Sequence, residues 1–139
     1  EYADVDDTYS LRFTEPDDGL GVSTNYFVVT AKNSGLLLNG WVTWPEGEVP
    51  MPLATVLYKC PTGDVTGTEL RACTVWSGVV YELIENSDAD LLAPGDETAA
   101  RVLLFPAFGK ALRGADVWAK EKLSVIPWDV FRLAGCEKE

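Results

Sequence analysis

Apolar and polar residues alternate along this chain in short bursts, and Gly, Pro, Asn and Asp separate the bursts. Tyr9-Ser10-Leu11-Arg12-Phe13 is typical: Tyr9, Leu11 and Phe13 share one face of an extended segment, which is the period-two signature of a half-buried strand. Glu15-Pro16-Asp17-Asp18-Gly19 then reads as a turn, because Pro presets φ while Asp and Gly accept tight conformations. Asn25 to Ala31 is apolar on both faces and predicts a central strand. Asn33-Ser34-Gly35 turns the chain into a further strand over Leu36 to Trp44, with Gly40 as a candidate bulge. The three prolines of 45–52 predict an extended loop. Leu53 to Cys60 and Leu70 to Trp76 predict a hairpin, and Val79 to Ile84 another strand beyond Gly78. Glu85 to Asp90 reads as a polar connection, and Pro94-Gly95-Asp96 as a turn into a strand over Thr98 to Phe105. Phe108 to Lys122 reads two ways, as a short helix over 115–122 or as a loop followed by a strand; Leu123 to Ile126 and Trp128 to Leu133 close the pattern around Pro127.

These elements predict one all-β domain over residues 1–139. The expected architecture is an immunoglobulin-like antiparallel β-sandwich of about 7–9 strands, possessing at most one short helix near 115–122. A small closed barrel is the second architecture that fits. Convincing helices do not alternate with the strands, which disfavours a parallel α/β sheet.

Two stretches carry a resemblance. Phe27 to Ala31 runs into Asn33-Ser34-Gly35, and Leu92-Ala93-Pro94-Gly95-Asp96-Glu97 leads into Arg101-Val102-Leu103-Leu104-Phe105. A strand ending in Asn-x-Gly, followed later by a Leu-x-Pro-Gly-Asp turn and a strand ending in an aromatic residue, resembles secreted immunoglobulin-like domains of the telokin-like and CARDB-like type. The resemblance spans about residues 22 to 105. It implies an extracellular adhesion, assembly or stabilising module and brings no catalytic residue with it.

Composition narrows the chemistry. The 139 residues contain no histidine, and 22 Asp and Glu face 11 Lys and Arg, for a net charge of −11. Without histidine, Ser-His-Asp and Cys-His nucleophile systems and His-bearing metal sites are closed to the chain acting alone. The negative charge repels phosphate backbones and anionic lipid, so nucleic acid is not an expected partner. No apolar run approaches the roughly 20 residues that span a bilayer, so no membrane insertion is expected. The polar start at Glu1 shows no signal peptide, as a processed chain would also look.

Of the three cysteines, Cys60 and Cys73 flank the turn of the expected hairpin, and folding near Thr66-Gly67 sets them opposite one another. A bridge there implies an oxidising compartment: secreted, periplasmic or cell surface. The alternative is three reduced thiols in a cytosolic protein. Cys136 is left over. Three thiols without CxxC spacing make a poor zinc set.

Several residues are candidates for binding. Asn86, Asp88, Asp90 and Glu97 repeat the oxygen-ligand rhythm of a calcium loop, although Leu91 stands where the sharp turn needs Gly. Asp4, Asp6 and Asp7, with Asp17 and Asp18, form an acidic cluster suited to calcium or a basic partner. Trp41 and Trp44 stand three apart, so a regular strand sends one inward and one outward. An exposed Trp beside Tyr26 or Tyr58 suits a sugar ring or a protein interface. Pro45, Glu46, Glu48 and Pro50 lie in the extended loop and are candidate contacts for a partner. Glu82 sits in an apolar strand, but no pair of acids stands out for glycosidase-like chemistry. The expected function is therefore non-catalytic: an exported protein-interaction or accessory subunit of an extracellular or cell-surface assembly. A carbohydrate-binding module and a carboxylate-based hydrolase are the alternatives.

Overall fold

The computed structural model describes residues 2–4, 6–14, 24–32, 34–44, 51–60, 67–84, 88–91 and 101–133. The strands are β1 (Tyr2–Asp4), β2 (Tyr9–Thr14), β3 (Thr24–Ala31), β4 (Leu37–Thr43), β5 (Leu53–Leu57), β6 (Thr74–Val79), β7 (Tyr81–Ile84), β8 (Asp88–Leu91), β9 (Val102–Leu104) and β10 (Val130–Leu133). The helices are α1 (Gly67–Cys73), α2 (Phe108–Gly114) and α3 (Asp116–Lys120). The chain is mostly antiparallel β, as the alternation predicts.

The ten strands form one sheet in the order β6-β5-β4-β3-β2-β1-β10-β9-β7-β8. An immunoglobulin-like sandwich would set two sheets face to face, with about 7–9 strands. The reason for the difference lies at Val80. This one residue separates β6 from β7, yet those strands stand first and ninth in the order. The sheet therefore curls into a near-barrel whose first and ninth strands are consecutive in the chain. Val80 is fully buried, and its N–H donates to the Pro52 carbonyl at 3.0 Å, fastening the bend to the β5 side.

A curled single sheet has one inner side. Tyr9 and Leu11 of β2, Phe27, Val29 and Ala31 of β3, Leu38 and Val42 of β4, and Ala54 and Val56 of β5 are all buried, at every second position. The apolar run of β3 does not face two layers: Tyr26 and Val28 are half-buried on the outer side. Gly40 is no bulge. It stands opposite Phe27 in an unbroken β3–β4 register, and a Cβ there would run into the Phe27 ring. The register shift lies instead at Val56/Leu57, where Val75 of β6 is the extra residue.

The expected hairpin over 53–76 takes a different form. β5 and β6 do pair, but Gly67–Cys73 forms α1 where a returning strand was expected. Glu-Leu-Arg-Ala is a run of helix formers, with Glu69 in the first turn and Arg71 in the last to complement the helix dipole. The Cys60–Cys73 disulfide forms nonetheless, with Cα atoms 5.4 Å apart, and Tyr58 N donates to the Cys73 carbonyl at 2.9 Å. Gly78 lies inside β6 instead of ending it, and β8 occupies part of the expected polar connection.

Residues 108–120 form two short helices: α3 lies within the stretch that read either as a helix over 115–122 or as a loop and strand, and α2 precedes it. Extended Ala115 ends α2 and begins α3. α2 buries Phe108, Gly109 and Leu112, and α3 buries Val117, against the sheet interior. Phe105 is the hub of that interior: its ring meets Phe27, Trp76, Phe108 and Phe131 at centroid distances of 5.4–6.2 Å. Trp76 also donates its indole N–H to the Pro106 carbonyl at 2.8 Å, which satisfies its polar end.

Phe27 is held edge-on between Phe13 and Phe105, so its ring has nowhere to retreat. Gly40→Ala is expected to destabilise the fold by about 1–3 kcal/mol through overpacking, read as a lower urea midpoint at unchanged slope.

Candidate functional site

The site begins with a buried carboxylate. Asp4 ends β1 and is only 5% exposed. Its Oδ1 accepts from the backbone N–H groups of Thr8 (2.9 Å) and Tyr9 (3.2 Å), and its carbonyl accepts from Asp7 N at 2.9 Å. This local capture builds the tight β1–β2 connection, in which Asp7 takes a left-handed conformation with φ 56°. The other oxygen, Oδ2, accepts a longer bond from Trp128 N at 3.4 Å.

Asp4 thus reaches from the first strand to the segment before the last. Residues 123–129 form no strand, contrary to the expectation for Leu123 to Ile126. Pro127 explains this, since it cannot donate to a ladder. Side chains fix the segment instead. Tyr9 donates its hydroxyl to the Val125 carbonyl at 2.6 Å. Asp6 Oδ2 accepts from the Trp128 indole at 2.9 Å. Asp129 accepts from Ala107 N (2.9 Å) and Gly109 N (2.8 Å), capping α2 from a distant part of the chain, and its carbonyl accepts from Phe105 N at 2.8 Å.

The result is a crest of apolar side chains on a pinned backbone. Val125 is 44% exposed, Ile126 48% and Trp128 51%, while Pro127 between them is buried. The exposed Asp6 is bonded to the crest at Trp128, and the adjacent Asp7 is paired with Lys32. An exposed pair of this kind contributes little stability, and the Lys32 charge offsets that of Asp7.

Burial pushes the Tyr9 phenol up from its usual 10 to about 12, and the neighbouring Asp4 charge acts in the same direction. The phenol keeps its proton, and with it the bond to Val125.

The residues singled out from sequence scatter. Asp4 proves structural instead of partner-facing. Trp44, expected at a contact surface, is instead buried, 6% exposed, and joins the core. Trp41 lies half-buried on the outer face, which is the inward–outward split the spacing predicts. Pro45, Glu46, Glu48 and Pro50 lie outside the described residues, as do Asp17, Asp18, Asn86 and Glu97. The expected calcium loop is interrupted by a strand, since Asp88 and Asp90 belong to β8, where Asp90 bonds the adjacent Leu91 N. Among the described residues, no group of three or more acids or cysteines is placed to hold a metal ion. Register sets Glu82 opposite Asp90, yet like charges at such positions repel. A cleft of about 510 Å³ between α1 and the α2–α3 junction is lined by Lys59, Glu69, Asp116 and Lys120, whose charges cancel.

Sequence reasoning missed the crest because Val125, Ile126 and Trp128 looked like strand residues. Pro127 carried the available signal: apolar residues around it lack a ladder partner on at least one side. Comparisons with family models, curated proteins and solved structures find no match to this chain.

Two outcomes check the pinning. Asp4→Ala leaves buried donors unpaired and is expected to cost about 1–3 kcal/mol, with faster amide exchange at Thr8, Tyr9 and Trp128. In an alkaline titration, Tyr9 should ionise near pH 12, and Tyr9→Phe should remove that step. Because the folded value lies above the unfolded one, the stability this phenol contributes is complete below about pH 10 and lost as the pH rises to 12.

Proposed function

We propose that the chain is a non-catalytic, exported accessory subunit that docks a basic protein partner through the Val125–Ile126–Trp128 crest. The observation that carries this reading is the crest: three large apolar side chains about half exposed, on a backbone bonded to Tyr9 and Asp4. Trp is the residue most enriched among interface anchors. A protein with a net charge of −11, and with Asp6 bonded to Trp128 of the crest, favours a partner that surrounds an apolar pocket with Lys and Arg. The Cys60–Cys73 bridge supports a working place outside the reducing cytosol, at the cell surface, in the periplasm or secreted.

A photo-crosslinking residue at position 126 identifies the partner, which is then purified and titrated. Trp128→Ala should weaken its binding at least about tenfold, as should a rise from low to high salt, while Lys110→Ala leaves it unchanged. Equal binding by Trp128→Ala, or crosslinks only to a second copy of this chain or to lipid vesicles, would overturn the reading.

A further inference from the structure

The outer face of the sheet carries a second arrangement, independent of the crest. The ladder register lines up Thr14, Tyr26, Trp41, Thr55 and Ser77 in one row across β2, β3, β4, β5 and β6. Two adjacent aromatic side chains therefore sit at the centre of the row, with hydroxyl residues on both sides. Tyr26 and Trp41 are half-buried, and Thr14 and Ser77 are exposed. Asn39, also exposed, stands in the next row, opposite Val28. A groove of about 420 Å³ opens here, lined by Thr14, Tyr26, Val28, Asn39 and Trp41. That volume lies within the range of small-molecule sites, about 300–1,000 Å³.

We infer that this row is a carbohydrate-binding face for a neutral oligosaccharide. Its sugar rings lie on Tyr26 and Trp41, and its hydroxyls bond Thr14, Asn39 and Thr55. The chemistry of the lining selects this class. A wholly apolar ligand would strip water from the Asn39 amide and the threonine hydroxyls without replacing its bonds. A wholly polar one would leave the faces of Tyr26 and Trp41 unused. A pyranose ring offers both a C–H face and a rim of hydroxyls. Nucleobases also stack on aromatic side chains, but their phosphates meet a protein of net charge −11. The same charge disfavours sulfated or uronic-acid polymers. Strand spacing gives the row of five positions a length of about 19 Å, so a short chain of rings fits better than a single sugar. The sheet fixes the platform before any ligand arrives, because Phe27 and Gly40, the next pair along the same ladder, pack tightly on its inner side.

The test is a glycan array carrying neutral and anionic oligosaccharides, followed by tryptophan-fluorescence titration with cellohexaose, xylohexaose and chitohexaose. At least one neutral oligosaccharide should bind. Trp41→Ala and Tyr26→Ala should each weaken that binding by about tenfold, and Trp128→Ala should leave it within about twofold, which separates this face from the crest. Cross-strand aromatic pairs also stabilise sheets, so each variant is checked by circular dichroism and thermal melting. Asn39→Ala, at an exposed edge of the groove, provides a loss-of-binding variant if either aromatic replacement fails to fold. No neutral saccharide bound, binding of anionic glycans alone, or unchanged affinity in folded Trp41→Ala would each overturn the inference.

Discussion

One residue carries the chain between strands that stand nearly at opposite ends of the sheet order. Val80 does this with its side chain fully buried and its N–H bonded to Pro52. β6 is committed to β5, and β7 to β9 and β8, so a flat sheet cannot satisfy both sets of ladders. Curling is the only solution. It creates an enclosed side, and the aromatic residues fill it: Phe27, Trp76, Phe105, Phe108 and Phe131 are all buried. Bulky rings suit this space because their edge-to-face contacts fill a tapering interior that smaller side chains would leave with voids. Gly40 follows from the same constraint, since the large ring of Phe27 needs an opposite position without a side chain.

A curled sheet must also be covered where its interior opens. α2 and α3 supply Phe108, Leu112 and Val117 for this, yet both helices are too short to be stable alone. Their support comes from distant carboxylates. Asp129 caps α2, for which the left-handed Ala107 offers no side-chain acceptor. Asp4 and Asp6 hold the chain leading to Asp129. Part of the acidity that looked from sequence like a surface property is therefore internal wiring. Asp4, which is buried, and Asp129, which is half-buried, each accept two or more backbone N–H donors, and hydrogen bonds to an ionised acceptor are the strong ones.

The parts of this structure readable from sequence are those decided by near neighbours. Alternation places Tyr9, Leu11 and Phe13, and separates Trp41 from Trp44, because side-chain direction in a strand depends only on local geometry. The Cys60–Cys73 bridge was legible from spacing, although the segment before Cys73 is helical, because either conformation can bring the chain back to Cys60. Illegible were features set by remote partners. Whether the outer side of β3 meets a second layer or water depends on closure at Val80, more than fifty positions away along the chain. The same holds for Asp4, whose role rests on a turn beside it and a tryptophan 124 residues on. The cross-strand row through Tyr26 and Trp41 also needs the register of five strands, which composition does not contain.

The two surfaces differ in how they are made rigid, and this bears on what each suits. The row is held by backbone ladders on both sides, so its side chains stand on a platform whose spacing is fixed by the sheet. That suits a repetitive, extended ligand. The crest has no ladder, and its order comes from individual bonds to Tyr9, Asp4 and Asp6, with Asp129 at its end. Those bonds fix the backbone before a partner arrives. In the docking proposed above, few further degrees of freedom would be ordered, so more of the energy from burying Trp128 and Ile126 would remain as affinity. An apolar segment in water without such bonds would gain by folding its side chains against the protein. Here the hydroxyl of Tyr9, kept protonated by burial, helps hold the backbone in a conformation that leaves them exposed.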